Sequence, residues 1–189
     1  AWVSADLGVP AAMVSASHNA WHDNGIKLFA AGGRKLDDDV QARLEAELAA
    51  ILDEEAEPAH PTLPPEQVAD VRSHHDLVVS WAAAVGSSLE GRRLDGLRAV
   101  VDCANGAASE LAPGVLEDLG AAVTVMCDQP DGRNINEGCG STHMATLSEA
   151  VVAEGAHVGL AFDGDADRVL AVDETGAVVN PTGWGLNIP

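Results

Sequence analysis

His157-Val-Gly-Leu-Ala-Phe-Asp-Gly-Asp-Ala-Asp-Arg-Val-Leu-Ala-Val172 decides how this chain is read. Two apolar runs, 157–162 and 169–172, bracket a loop with a carboxylate at every second position. Short apolar runs bounded by turn formers predict buried strands. A tight loop that gathers Asp163, Asp165 and Asp167 is costly. At ~4 Å, each like-charged pair costs about 4 kcal/mol near a protein surface. A bound cation removes that cost, and an all-oxygen ligand set suits a hard ion such as Mg²⁺. Open α/β sheets bind ligands at the carboxyl ends of their strands, where this loop would lie. With Glu174 the spacing also fits a calcium helix–loop–helix. That motif needs Gly where Arg168 stands, and helices where the apolar runs stand. A solvated acidic turn is the plainest alternative.

Outward from this stretch the pattern stays regular. Residues 98–102 read as a strand, 109–119 as a helix stopped by Gly120, and 122–126 as a strand. A long polar loop, 128–143, leads to a helix over 145–154 stopped by Gly155. Strand–helix–strand–helix–strand predicts a parallel α/β sheet. Residues 86–96 are rich in Gly and Ser and read as a linker. Before them, Val68, Val71, Val78, Trp81 and Val85 mark a helix starting near Pro65. Asp37-Asp38-Asp39 opens another, with Val40, Leu44, Leu48 and Ile51 on its apolar face. Gly32-Gly33 signals a hairpin between 26–29 and 34–36, and 9–15 reads as a buried strand.

Composition narrows the function. A chain of 189 residues that is 47% hydrophobic holds one good core or two small domains. A net charge of −20 with only ten Lys and Arg argues against a nucleic-acid partner. No apolar run reaches the ~20 residues of a membrane helix, so no membrane association is expected. Three widely spaced cysteines without a CxxC favour reduced thiols and a cytoplasmic protein. The first residues carry no signal-peptide pattern and the last ones complete no element, so a piece of a longer protein is expected. Homo-oligomer formation stays open.

Ser15-Ala-Ser-His-Asn19 is a second constellation, a polar loop at the end of a buried strand. A serine beside a histidine suits a nucleophile, but the Gly-x-Ser-x-Gly elbow of acyl transfer is absent. A phosphoryl acceptor fits better. A phosphoserine brings about −1.5 to −2 charges and would complete a Mg²⁺ site built from carboxylates. The plain alternative is a side-chain-capped turn closing the strand.

These residues resemble a known family. Ser15-Ala-Ser-His-Asn19, followed by Asp23-Asn-Gly-Ile-Lys27, resembles the active-site serine segment of the α-D-phosphohexomutases, and 163–168 resembles their metal-binding loop. Val101-Asp-Cys-Ala-Asn-Gly-Ala107 and Asp131-Gly-Arg-Asn-Ile-Asn-Glu-Gly-Cys-Gly-Ser-Thr-His143 are similar to the branch acting on glucosamine phosphates.

The resemblance implies two consecutive α/β domains of the phosphohexomutase type with mainly parallel, mixed sheets. Residues 1–86 would be the C-terminal part of the first, 87–96 a linker, and 97–189 an incomplete second. It implies an intramolecular phosphotransferase that interconverts glucosamine 6-phosphate and glucosamine 1-phosphate through a phosphoserine and a bisphosphorylated sugar. Ser17 would be the phosphorylated serine. Its phosphate would hold Mg²⁺ together with Asp163, Asp165 and Asp167. His18 would be catalytic, and Arg168 and Asn19 would face the phosphosugar substrate. Lys27 matches a lysine proposed for proton transfer; read from the residues alone it is equally an exposed hairpin lysine.

Within the family the alternative is a phosphomannomutase or phosphoglucomutase. Outside enzymes it is a non-catalytic Mg²⁺-binding remnant. Ala20 stands where the family has Pro, and 180–189 leaves the family pattern. The family's Gly-rich N-terminal segment, sugar-selecting loop and C-terminal phosphate loop find no match. A nucleophile and a metal site without a substrate clamp, and so without full activity, are therefore expected. Cys103 and Cys139 lie in the matching segments with no thiol partner visible in the sequence.

Overall fold

The computed structural model describes residues 1–53 and 73–179. They fall into two compact units: Ala1–Ala12 with Lys27–Trp81, and Met13–Ile26 with Ala82–Pro189.

In the first unit, α1 (Trp2–Leu7) ends on Gly8, whose φ of +63° makes a left-handed stop. Sequence reading gives no element here, because six residues are too few for a helical period to show. Ser4 of α1 is fully buried; its Oγ lies 2.6 Å from Val9 O and 2.8 Å from Ala30 O. β1 (Ala11–Ser15) and β2 (Gly25–Phe29), whose residues Met13–Ser15 and Gly25–Ile26 are counted with the second unit, form a two-stranded sheet. The expected hairpin shrinks to one bridge, Phe29 to Lys35, closed by Ala30 N donating to Arg34 O at 2.8 Å. Its second arm has no length to extend, since Asp37 O already accepts from Val40 N and Gln41 N as α2 (Asp38–Asp53) begins. α2 has two acidic residues in its first turn, which the helix dipole favours. Its apolar stripe stays open: Val40, Leu44, Leu48 and Ile51 are 39–68% exposed. Among the described residues of this unit, Ser4 alone is buried. The expected helix start near Pro65 and the tail from Asn180 lie outside the described residues; α3 is described over His75–Ser87.

The second unit carries the main core. β3 (Arg98–Asp102) pairs in parallel with β4 (Ala122–Met126) on one side and β5 (Val158–Phe162) on the other. β6 (Val169–Asp173) runs antiparallel to β5, and β7 (Val178–Val179) antiparallel to β6. The order β4-β3-β5-β6-β7 is the expected mixed sheet. α4 (Ala108–Asp118) covers one face, where Ala108, Ala112 and Leu116 meet Ala99 and Val101. α5 (Met144–Glu154) covers the other, where Leu147 and Val151 meet Val100, Ala161 and Val172. A strand buried on both faces reads as an unbroken apolar run rather than an alternation, as β3 does. Gly159 lets α5 lie flush on β5: a Cβ there would sit 2.6 Å from Val151 Cγ2. Residues 88–97 form turns tied to the end of α4 by Leu94 N donating to Leu119 O at 2.8 Å.

At the carboxyl ends of β3 and β5, two loops meet backbone to backbone. Ala107 N donates to Gly164 O at 2.9 Å, and a Cβ on Gly106 would collide with that same oxygen.

Candidate active site and metal centre

The loop between β5 and β6 is a hairpin turn, which rules out a calcium helix–loop–helix. Ala166 N donates to Asp163 O at 3.0 Å, and Asp163 N to Arg168 O at 3.3 Å. Asp163, Asp165 and Asp167 bring carboxylate oxygens within 4.8 Å of one another. Asp163 is fully buried, and Asp165 Oδ1 is shielded from solvent. Three convergent carboxylates, with no nitrogen or sulfur donor among them, form a donor set that fits a hard divalent cation.

Arg168 follows the loop and folds back over it. Its Nε and Nη2 donate to Asp163 Oδ2 at 3.1 and 2.8 Å, and its backbone N to Asp163 Oδ1 at 3.1 Å. Nε also lies 3.4 Å from Asp167 Oδ1. The hydrogen bond to Asp163 raises the Arg168 pKa further, so the guanidinium stays charged.

The Ser15–Asn19 loop belongs to the same unit, and its serine reaches these groups. Ser17 Oγ lies 3.4 Å from Asp163 Oδ2, 3.1 Å from Arg168 Nη2 and 3.4 Å from His18 Nδ1. Arg168 Nη2 is also 2.7 Å from His18 Nδ1. A guanidinium only donates, so that contact makes His18 Nδ1 the acceptor and puts the ring proton on Nε2.

Ser17 adopts φ +52°, a left-handed conformation that costs a non-glycine residue about 1–3 kcal/mol. Backbone contacts hold it there. Ser17 N donates to Ser15 Oγ at 2.8 Å, and Asn19 N to Ala16 O at 2.9 Å. Gly164 N donates to Ser17 O at 3.0 Å. Asn136 Nδ2 donates to both Ser17 O and Asn19 O, each at 2.8 Å. Asn136 is 8% exposed, sits at φ +58°, and is fixed by its own N donating to Ala104 O at 2.9 Å. The sequence pattern alone assigns Asn136 no role. An Asn is a reasonable residue for a left-handed position, but its partners are main-chain oxygens more than a hundred positions away, which leave no motif of their own.

Ser17, His18, Arg168 and the three aspartates are thus adjacent. Asn19 takes part through its backbone. Lys27 lies half-buried on β2, in the first unit. A cavity of about 410 Å³ opens beside His18, lined among others by Trp21, His22, Arg133, Asn136 and His143. Arg133 sits over the Trp21 ring at 5.5 Å, a cation–π contact.

Residues 80–176 match the family model described as phosphoglucomutase/phosphomannomutase, alpha/beta/alpha domain II, and residues 2–55 match domain I of the same family. The chain belongs to the phosphoglucomutase/phosphomannomutase family. Within it, the chain is 52% identical over 178 residues to a phosphoglucosamine mutase of Rhodococcus erythropolis and 49% identical to one of Clavibacter michiganensis. These alignments cover 94% and 93% of this chain, and the chain spans 38% of either relative. A phosphoglucomutase/phosphomannomutase family protein of Burkholderia thailandensis shares the fold at TM-score 0.65 and 24% identity, over 91% of this chain and 35% of that one.

Proposed function

We propose that this chain is the part of a phosphoglucosamine mutase that carries the nucleophile and the metal, interconverting glucosamine 6-phosphate and glucosamine 1-phosphate. The observation that supports the reading is the approach of Ser17 Oγ to Asp163 and Arg168, in a chain about half identical to phosphoglucosamine mutases. Residues 1–86 are taken as the end of domain I, 87–96 as the connection, and 97–189 as domain II.

In this reading Ser17 carries the phosphoryl group. Transfer breaks the Oγ–P bond and forms a bond from phosphorus to a sugar hydroxyl oxygen, whose proton leaves to a base. The bisphosphorylated sugar then returns its other phosphoryl to Ser17. Phosphoryl transfer needs in-line positioning and charge neutralisation more than covalent help. Asp163, Asp165, Asp167 and the phosphorylated Ser17 would hold Mg²⁺, which when bound neutralises charge on the transferring group. Arg168, already 3.1 Å from Oγ, presents a permanent cation to the phosphoryl oxygens. His18 Nδ1 and the Asn19 segment line the approach to Oγ, and Lys27 is the proton-transfer candidate.

The test is to incubate the chain with Mg²⁺ and glucosamine 1,6-bisphosphate and map the product by peptide mass. One phosphoryl group on Ser17, absent in Ser17→Ala, is expected. A folded chain that stays unmodified would sink the assignment of Ser17.

A further inference from the structure

Cys127 and Cys139 are at opposite ends of the loop that carries Asn136. Cys127 follows β4 in a left-handed conformation, φ +51°, and is partly exposed; Cys139 is 2% exposed. Their Sγ atoms and the Asp102 carboxylate lie within 4.8 Å of one another, and the two thiols share a side-chain hydrogen bond. Both Asp102 oxygens are committed as loop anchors: Oδ1 accepts from Ala104 N at 2.9 Å and Oδ2 from Gly140 N at 2.8 Å. That leaves two thiols as the reactive pair. A metal ion there would have three protein donors and need a fourth from water in a buried place, which is less suited to a structural tetrahedral site.

We propose that Cys127 and Cys139 form an intramolecular disulfide that fastens the two ends of the Asn136 loop, and with it the clamp on Ser17. The oxidant is a low-molecular-weight disulfide such as oxidised glutathione. The partly exposed Cys127 attacks it as thiolate, forming a mixed disulfide and releasing one glutathione thiolate. The Cys139 thiolate then attacks the Cys127 sulfur and releases the second. Two cysteine thiols are oxidised, one glutathione disulfide is reduced to two thiols, and the two cysteine protons pass to glutathione. Cys103 is fully buried and outside the cluster. Burial pushes the Cys139 thiol up to about 12 and the Cys127 thiol up as well, so closure is slow at neutral pH and quickens in alkali.

The experiment treats the reduced, folded 189-residue chain with oxidised glutathione and digests it without reductant. A Cys127–Cys139 cross-linked peptide is expected from the unsubstituted chain and from Cys103→Ser, and none from Cys127→Ser. Amide exchange at Asn136 should slow at least about tenfold on oxidation. The proposal is overturned by a folded chain that remains reduced, by a stable glutathione adduct without closure, by a cross-link to Cys103, or by unchanged exchange at Asn136. Equilibrium dialysis of the reduced chain against zinc chloride is the second arm. One tightly held zinc, lost in Cys127→Ser, would assign the cluster to a metal instead.

Discussion

Ser17 has its side chain and its main chain under separate control. The side chain faces Asp163, Arg168 and His18; the main chain is held by Asn136 and Gly164. Asn136→Ala removes two hydrogen bonds to carbonyls and leaves that of Asn19 without its donor. At about 1 kcal/mol per bond, a loss of about 1–3 kcal/mol in stability is expected, read from a urea unfolding midpoint. Phosphoryl labelling of Ser17 should slow more than the stability change accounts for, because the left-handed backbone then relaxes. Equal labelling rates in the two proteins would argue that the clamp is structural only.

The elements show what a linear pattern can and cannot carry. β3 and β5 are legible because burial on two faces leaves unbroken apolar runs, and α5 is legible because Gly155 stops it at φ +57°. α1 is too short to display a period, and the Gly32-Gly33 hairpin lost its second arm to the start of α2. The closeness of α5 to β5 is also invisible in sequence, since Gly159 looks there like a weak point in a strand. Gly159→Ala would place a methyl 2.6 Å from Val151 Cγ2 and 3.0 Å from Leu147 Cδ1. Overpacking of this kind costs about 1–3 kcal/mol, so the urea midpoint should fall; an unchanged midpoint would mean that α5 shifts freely.

Across the whole molecule, titration is dominated by acids, but the alkaline side belongs to the thiols. There is no Tyr, and Lys27 and Lys35 are the only lysines. Burial pushes Cys103 and Cys139 from an ordinary value of 9.0 to about 12. The folded chain therefore holds thiol protons that the unfolded chain has released. Stability is fully present below about pH 9 and drains between about pH 9 and 12, by up to ~1.4 kcal/mol per pH unit for each thiol. Urea midpoints measured in reductant across that window should decline; a midpoint flat to about pH 11 would contradict the burial. The site's membership was legible from its motifs, because carboxylates at alternate positions and a serine ending a strand are hard to explain as packing. Its assembly was not, because Arg168 reaches Ser17 across a separation of 151 residues that only folding closes. The contacts that fix Ser17 in its left-handed conformation meet it at its own main-chain atoms, so chemistry at Oγ leaves them intact. Phosphorylation of Ser17, as proposed, would change the charge of a residue moored by main-chain atoms that do not react, and only its side-chain neighbours would have to adjust.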